Sequence, residues 1–341
     1  MKYYLIAGEA SGDMHGANLM LEMKKLDSTA VFRCWGGDRM KDAGGEIVKH
    51  YRELAFMGFT EVILNLRTIM RNISFCKEDI LSWKPDTLIL IDYPGFNLRI
   101  AEFAKKNSIH VVYYISPQVW AWKKSRVEKI KRFVDRMIVI LPFEKDFYKK
   151  FNCDVEYVGH PLLDEIGANS TPDPLSQERG GSQPIIALLP GSRLQEIKQM
   201  LPVLLSVVKK FPAYNFSVSV APSVDAALIK KICEGFPVTL VVNDSYSLLR
   251  NSFAALVTSG TATLETALFN VPEVVCYKGG TLSYMIARQL VDVKYISLVN
   301  LIMDKEVVKE LIQSELTTEN LSAELEKILS EENRKKIIQD Y

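Results

Sequence analysis

Short apolar, β-favouring runs alternate with longer amphipathic stretches along almost the whole chain. In the first half the runs are Tyr3–Ala7, Val31–Trp35, Thr87–Ile91, His110–Ile115 and Met137–Leu141. Several are continuously apolar, as parallel strands covered on both faces must be. Helical stretches such as Ala17–Lys25 and Leu98–Lys106 lie between them. The alternation predicts βαβ units wound into a parallel sheet.

The pattern lapses between residues 167 and 184, a stretch rich in Gly, Pro, Ser and charge with no apolar period. Such composition reads as a linker. Alternation then resumes with strands expected at Ile185–Leu189, Phe216–Val220, Thr239–Val242, Ala254–Thr258 and Glu273–Cys276. Helices are expected over Gln195–Lys210 and Ser223–Gly235. From Lys305 to Tyr341 the chain reads as helices, with Leu321, Leu325 and Leu329 on an apolar face. The predicted organisation is two α/β domains of Rossmann type, 1–166 and 185–325, facing a cleft, with a terminal helix over 326–341.

A length of 341 residues suits two domains, and 48% apolar with 24% charged residues is an ordinary globular balance. A net charge of +1 argues against a dedicated nucleic-acid binder. The five cysteines are scattered without a CxxC pair, so they read as free thiols of a reducing compartment. The N-terminus lacks the features of a signal peptide, and no apolar run reaches the ~18 residues of a spanning helix. Any membrane contact is then expected to be peripheral.

Candidate chemistry gathers where strands end, which is where open α/β sheets bind ligands. Gly8-Glu9-Ala10-Ser11-Gly12-Asp13 follows the first strand. Its glycines allow a tight turn into a helix, but the dinucleotide spacing G-x-G-x-x-G is absent. A carboxylate at Glu9 repels phosphate and suits a sugar hydroxyl better. Asp92, at the end of Thr87–Ile91, is placed either as a general base or as a cap on the next helix. Ser116-Pro117-Gln118-Val119-Trp120-Ala121-Trp122 precedes a basic run through Arg126. It reads either as a wall for a phosphorylated sugar or as aromatic packing at a domain edge.

In the second half, Pro190-Gly191-Ser192-Arg193 joins a strand to a helix and sets a guanidinium beside helix N–H groups, a pairing that suits a diphosphate. Ser259-Gly260-Thr261 opens another helix, with Glu265 one turn on from Thr261 and in reach of ribose hydroxyls. A plain N-cap with an acidic first turn is the competing reading. Asn300 interrupts an apolar run and reads as a cleft residue or a buried structural amide. Val62, Leu66, Arg67, Met70 and Arg71 put apolar and basic residues at helical spacing, which suits a membrane surface or an ordinary amphipathic helix. No Asp-x-Asp and no P-loop occurs, and none of His15, His50, His110 and His160 pairs at metal-ligand spacing. No metal or other cofactor is therefore expected.

Taken in order, GEASGD (Gly8–Asp13), FMGFTEV (Phe56–Val62), DYPGFN (Asp92–Asn97), SPQVWAW (Ser116–Trp122), LPFEKDFY (Leu141–Tyr148), VGHPLLD (Val158–Asp164), LLPGSR (Leu188–Arg193), SGTATLE (Ser259–Glu265) and SLVNL (Ser297–Leu301) resemble the lipid-A-disaccharide synthase family. The ordered set is far more specific than any one segment. The resemblance implies a GT-B fold and an inverting, metal-independent transfer from UDP-2,3-diacylglucosamine to 2,3-diacylglucosamine 1-phosphate (lipid X). It implies a cytoplasmic enzyme on the inner membrane of Gram-negative-type bacteria, with no nucleic-acid partner and with homodimer formation open. It implies catalytic roles for Asp92, Arg193, Asn300 and Glu9. UDP is expected at Gly191, Ser192, Arg193, Ser259, Gly260, Thr261 and Glu265. The acceptor is expected at Ser11, Met57, Asn97, Ser116, Gln118 and Trp120. Family members carry a further C-terminal helical segment, so the helix from 326 to Tyr341 is expected to be incomplete relative to them. Other GT-B proteins, such as UDP-sugar epimerases and the transferase that makes lipid II, lack the GEASGD and SPQVWAW segments. A silent UDP-sugar binder is the reading from a different class.

Overall fold

The computed structural model describes residues 1–54, 66–121, 124–167, 183–280 and 293–341. The chain forms two compact units, one from Met1 to Pro161 and the other comprising the described chain from Leu162 onward.

The first unit runs β1 (Lys2–Ala7), α1 (Ala10–Leu26), β2 (Val31–Gly36), α2 (Asp38–Asp42), β3 (Glu46–His50), α3 (Leu66–Trp83), β4 (Thr87–Ile91), α4 (Pro94–Lys106), β5 (His110–Tyr114), α5 (Arg126–Phe133), β6 (Arg136–Val139), α6 (Pro142–Lys149) and β7 (Glu156–Tyr157). Its parallel sheet has the order β3-β2-β1-β4-β5-β6-β7. The second unit runs α7 (Leu162–Gly167), β8 (Ile185–Leu189), α8 (Leu194–Leu205), β9 (Asn215–Val220), α9 (Ala226–Ile232), β10 (Val238–Val242), α10 (Ser245–Arg250), β11 (Ser252–Thr258), α11 (Thr261–Leu268), β12 (Glu273–Tyr277), α12 (Leu298–Met303), β13 (Lys309–Ile312), α13 (Thr318–Leu329) and α14 (Glu331–Asp340). Its order is β10-β9-β8-β11-β12-β13.

In each sheet the chain winds outward from the middle in one direction and then in the other. The reversal falls between β1 and β4 in the first sheet and between β8 and β11 in the second. Ala7 lies level with Ile91 and Leu189 with Val257, so each pair of central strands ends together. These topological switch points are where doubly wound sheets open a crevice for ligand.

The central strands are apolar because helices cover both faces: every residue of β4 is buried. In the first unit Leu5, Phe32 and Ile89 face one helical layer, and Tyr4, Leu88 and Leu90 face the other. One polar knot crosses this core. Asp79 of α3 accepts from Tyr4 Oη at 2.7 Å and from Arg33 Nε at 2.9 Å, and Trp35 Nε1 donates to Tyr4 Oη at 2.8 Å.

Three strands depart from the sequence reading. β3, β7 and β13 are sheet edges, short or half-polar, and lack the apolar run that marks an inner strand. β13 also corrects the all-helical reading of Lys305–Tyr341. Leu321 and Leu325 of α13 are fully buried as expected. α1 starts at Ala10, seven residues before the apolar period announces it. Gly12 and Gly16 weaken that signal, and a Cβ at Gly16 would sit 3.0 Å from the Met40 sulfur, so a larger residue there would need the methionine to shift.

Candidate functional site

At the first switch point two turns leave the sheet side by side. Gly8 follows β1, and a Cβ there would lie 2.4 Å from the Tyr93 ring, so only glycine lets the turns pack. Glu9 is then the extended N-cap of α1, half-buried and making no cap bond with its side chain. Asp13, from the same motif, is structural. Its carboxylate accepts from the backbone N–H of Gly37 (2.6 Å), Arg39 (3.1 Å) and Met40 (3.1 Å), pinning the start of α2. Ser11 is partly exposed on the first turn of α1.

Asp92 follows β4 with φ 42°, and Tyr93 follows with φ 49°. Left-handed backbone at a non-glycine residue costs about 1–3 kcal/mol and persists only where neighbours enforce it. Here the Asp92 N–H donates to the Ile115 carbonyl at 3.2 Å. Its carbonyl accepts from Asn97 Nδ2 at 2.7 Å and Tyr113 Oη at 2.5 Å. Pro94 then fixes the first residue of α4. The Asp92 residue is exposed. Protein nonetheless surrounds the turn on most sides. That thinning of water, and then the Glu9 carboxylate, push the Asp92 pKa up to about 7.

Glu144, on the first turn of α6, is a buried carboxyl, 1% exposed. It accepts from the N–H of Ile140 (3.1 Å) and Leu141 (2.9 Å), and burial pushes its pKa up to about 7. Above it folds the Ser116–Trp120 segment. Ser116 Oγ donates to the Pro117 carbonyl at 2.9 Å and meets Tyr148 Oη at 2.7 Å. Trp120 packs edge-on against Phe143, with ring centroids 5.1 Å apart. Of the expected acceptor contacts in this region, Gln118 is exposed. Asn97 and Ser116 are buried: Asn97 Nδ2 donates to the Asp92 carbonyl while its Oδ1 has no hydrogen-bond partner, and the Ser116 hydroxyl is engaged by Pro117 and Tyr148. Trp120 is 8% exposed and serves mainly as packing. His15 and His160 stack edge to face at 6.3 Å, and burial followed by His15 pushes the His160 pKa down to about 4, as for a structural pair.

The second switch point carries the other set. Gly191 has φ +105°, and a Cβ there would meet Glu196 Oε2 at 2.8 Å. Ser192 and Arg193 are exposed, and Arg193 caps α8, its Nη1 3.4 Å from Glu196 Oε1. Across from it, Ser259 precedes Gly260, the N-cap of α11, and Thr261, its exposed first residue. The first N–H groups of α8 and α11 have no intrahelical acceptor, so each helix start offers donors and a positive dipole end. Glu265, one turn into α11, is half-buried, and burial, with Glu165 beside it, pushes its pKa up to about 7.

Two expectations are corrected here. Ser259 has no donor left for a phosphate: its N–H donates to the Cys276 carbonyl at 3.0 Å and its Oγ to the Ile296 carbonyl at 3.0 Å. Asn300 is wholly buried and saturated. Its Oδ1 accepts from the N–H of Val307 (2.7 Å) and Val308 (3.0 Å), and its Nδ2 donates to the Val308 carbonyl (2.8 Å) and Glu310 (2.9 Å). In this arrangement its amide is engaged wholly within the protein, the geometry of a buried structural amide.

Met57 and Val62 lie outside the described residues. Leu66, Arg67, Met70 and Arg71 are all exposed on the first half of α3. No described helix is long and apolar enough to cross a membrane. Among the described residues no three His, Cys, Asp or Glu side chains converge to hold a metal ion. Sequence reasoning passed over Tyr113, Glu144 and Glu310. Glu144 was the most legible, as an acidic residue two positions after the Pro142 that opens a helix.

Comparison with known proteins adds the chemistry. The family model for lipid-A-disaccharide synthetase matches residues 3–341. The lipid-A-disaccharide synthase of Syntrophus aciditrophicus is 43% identical, covering 98% of this chain and 90% of its own. That of Geobacter metallireducens is 39% identical, covering 96% and 87%. Among solved structures, a putative UDP-N-acetylglucosamine 2-epimerase from Listeria monocytogenes aligns with TM-score 0.69 at 13% identity, covering 99% of this chain and 90% of its own. The calicheamicin glycosyltransferase CalG4 aligns with TM-score 0.61 at 14% identity, covering 99% and 93%. The structural likenesses establish the GT-B fold and nothing further.

Proposed function

The chain belongs to the lipid-A-disaccharide synthase family, and from that premise we propose that it moves 2,3-diacylglucosamine from UDP to the 6-hydroxyl of 2,3-diacylglucosamine 1-phosphate. The products are the β(1→6)-linked tetraacyl disaccharide 1-phosphate and UDP. In this reading the first unit serves the acceptor and the second the donor.

Asp92 takes the proton from the acceptor 6-hydroxyl as that oxygen attacks the anomeric carbon, inverting it. A pKa of about 7 suits the task, since the carboxylate is populated at neutral pH yet basic enough to accept a proton. Glu9 sustains that basicity and accepts from a sugar hydroxyl. On the donor side the bond from the anomeric carbon to the diphosphate oxygen breaks, and negative charge grows on UDP. Arg193 and the first N–H groups of α8 and α11 meet that charge, which removes the need for a metal. Glu265 accepts from the ribose hydroxyls. The exposed Leu66 and Met70 beside Arg67 and Arg71 suit the surface of an anionic membrane, where both acylated substrates reside.

One observation carries the reading: each switch point bears the groups its substrate needs, a raised-pKa carboxyl in one unit and a cation with two helix starts in the other. The test is Asp92→Asn. Positioned bases contribute about 10²–10⁴-fold, so product formation should fall at least a hundredfold with UDP affinity unchanged. A near-normal rate would remove Asp92 as the base.

A further inference from the structure

The saturation of Asn300 and of Ser259 points to one residue between them. Glu310 lies in β13, 9% exposed. Its Oε1 accepts from the Ser297 N–H at 3.0 Å and from Asn300 Nδ2 at 2.9 Å. Its Oε2 accepts from the Ile296 N–H at 2.9 Å. The carbonyl of Ile296 in turn accepts from Ser259 Oγ at 3.0 Å. A single carboxylate thus gathers the residues that enter α12 and, one peptide further, fixes the residue that enters α11.

We infer that Glu310 is a positioning residue for the donor diphosphate: it holds Ile296, through which Ser259 sets the Gly260–Thr261 turn that opens α11. The inference rests on the reading that this turn takes the diphosphate of UDP. Three N–H donors converge on Glu310, so the position requires a group that only accepts. Glutamine has the same shape but would turn an NH₂ against at least one of them. Asn300 supports the same arrangement from behind by holding Val307 and Val308, at the entry to β13. A diphosphate needs N–H groups fixed in advance, because donors that must reorganise lose much of their advantage.

The experiment uses the full chain and UDP as the probe, with Glu310→Gln, Ser259→Ala and the double variant. UDP affinity is read by calorimetry, and KM is read separately for the UDP-sugar and for lipid X. Each single variant should weaken UDP and raise the donor KM about tenfold, the scale of one lost hydrogen bond, with the lipid X KM within about twofold. The double variant should be no weaker than Glu310→Gln alone, because both changes break one chain of bonds. Additive losses, or equal effects on the two KM values, would overturn the inference, since a merely structural defect gives those results. If Glu310→Gln does not fold, Glu310→Asp is judged by the same criteria, as it keeps an acceptor-only group one methylene short. Arg193→Ala separates the two failures. Weak UDP binding in Arg193→Ala with normal binding in the Glu310 variants rejects the positioning role alone. Normal binding in all of them rejects the donor site as well.

Discussion

At the scale of single residues, the proposed transfer turns on a carboxyl whose environment suits a general base. As that base Asp92 would act only when ionised, and its surroundings push its pKa up to about 7. The rate at limiting substrate should therefore be low in acid, rise with pH and level off above about 7. Glu9→Gln removes the neighbouring negative charge, so the carboxylate becomes easier to form and the midpoint should move to lower pH. A midpoint unmoved in Glu9→Gln would mean that the thinning of water around the turn alone sets the value. Tyr113 acts one step back, through its 2.5 Å bond to the Asp92 carbonyl. Tyr113→Phe releases part of the restraint on a strained turn, and kcat should drop about tenfold with UDP affinity intact. A tyrosine in the middle of an apolar strand gives no sign of this duty, because the partner is a backbone carbonyl brought near only by the strand order.

At the scale of elements, the inner strands and the turns after them were legible, and the edges were not. Thr87–Ile91 and Ile185–Leu189 match the structure residue for residue, because a strand covered on both faces must be apolar throughout. The edge strand β13 was hidden by its lysine and glutamate, and with it went the partner of Asn300. That is why the sequence leaves Asn300 undecided between two roles, and why Ser259 reads as a phosphate ligand: the acceptors of its two donors lie 17 and 37 residues away. Next to β13, β12 carries Glu273, fully buried, with both carboxyl oxygens lacking a hydrogen bond. Burial, and then Glu310, hold its pKa well above the usual carboxylate range. A carboxyl raised on folding contributes most below its unfolded pKa and loses that contribution as pH rises toward the folded one. Above the unfolded pKa of about 4, this group alone should lower stability as pH rises toward the folded value. Glu273→Gln should cancel that slope, so its unfolding midpoint in urea should gain on the parent protein between pH 5 and pH 7. Parallel pH profiles would show that Glu273 is ionised and compensated.

At the scale of the whole molecule, the proposed function gives the acceptor to one unit and the donor to the other, and its acylated substrates would bring the chain to a membrane surface. The exposed half of α3 pairs Leu66 and Met70 with Arg67 and Arg71. Leu66→Ser with Met70→Ser should cut co-sedimentation with anionic vesicles several-fold, and raised salt should weaken what remains through the arginines. Unchanged sedimentation would move the contact elsewhere. The central claim is that Asp92, with the donor-side cation and helix starts, carries out a metal-independent transfer. It is tested most directly by chromatography of products from UDP-diacylglucosamine and radiolabelled lipid X in the presence of EDTA, run on the parent protein and on Asp92→Asn. The account predicts a disaccharide 1-phosphate from the parent, undiminished by EDTA, and almost none from the variant, which still binds UDP. Product that disappears with EDTA, or that Asp92→Asn forms at the normal rate, would contradict it.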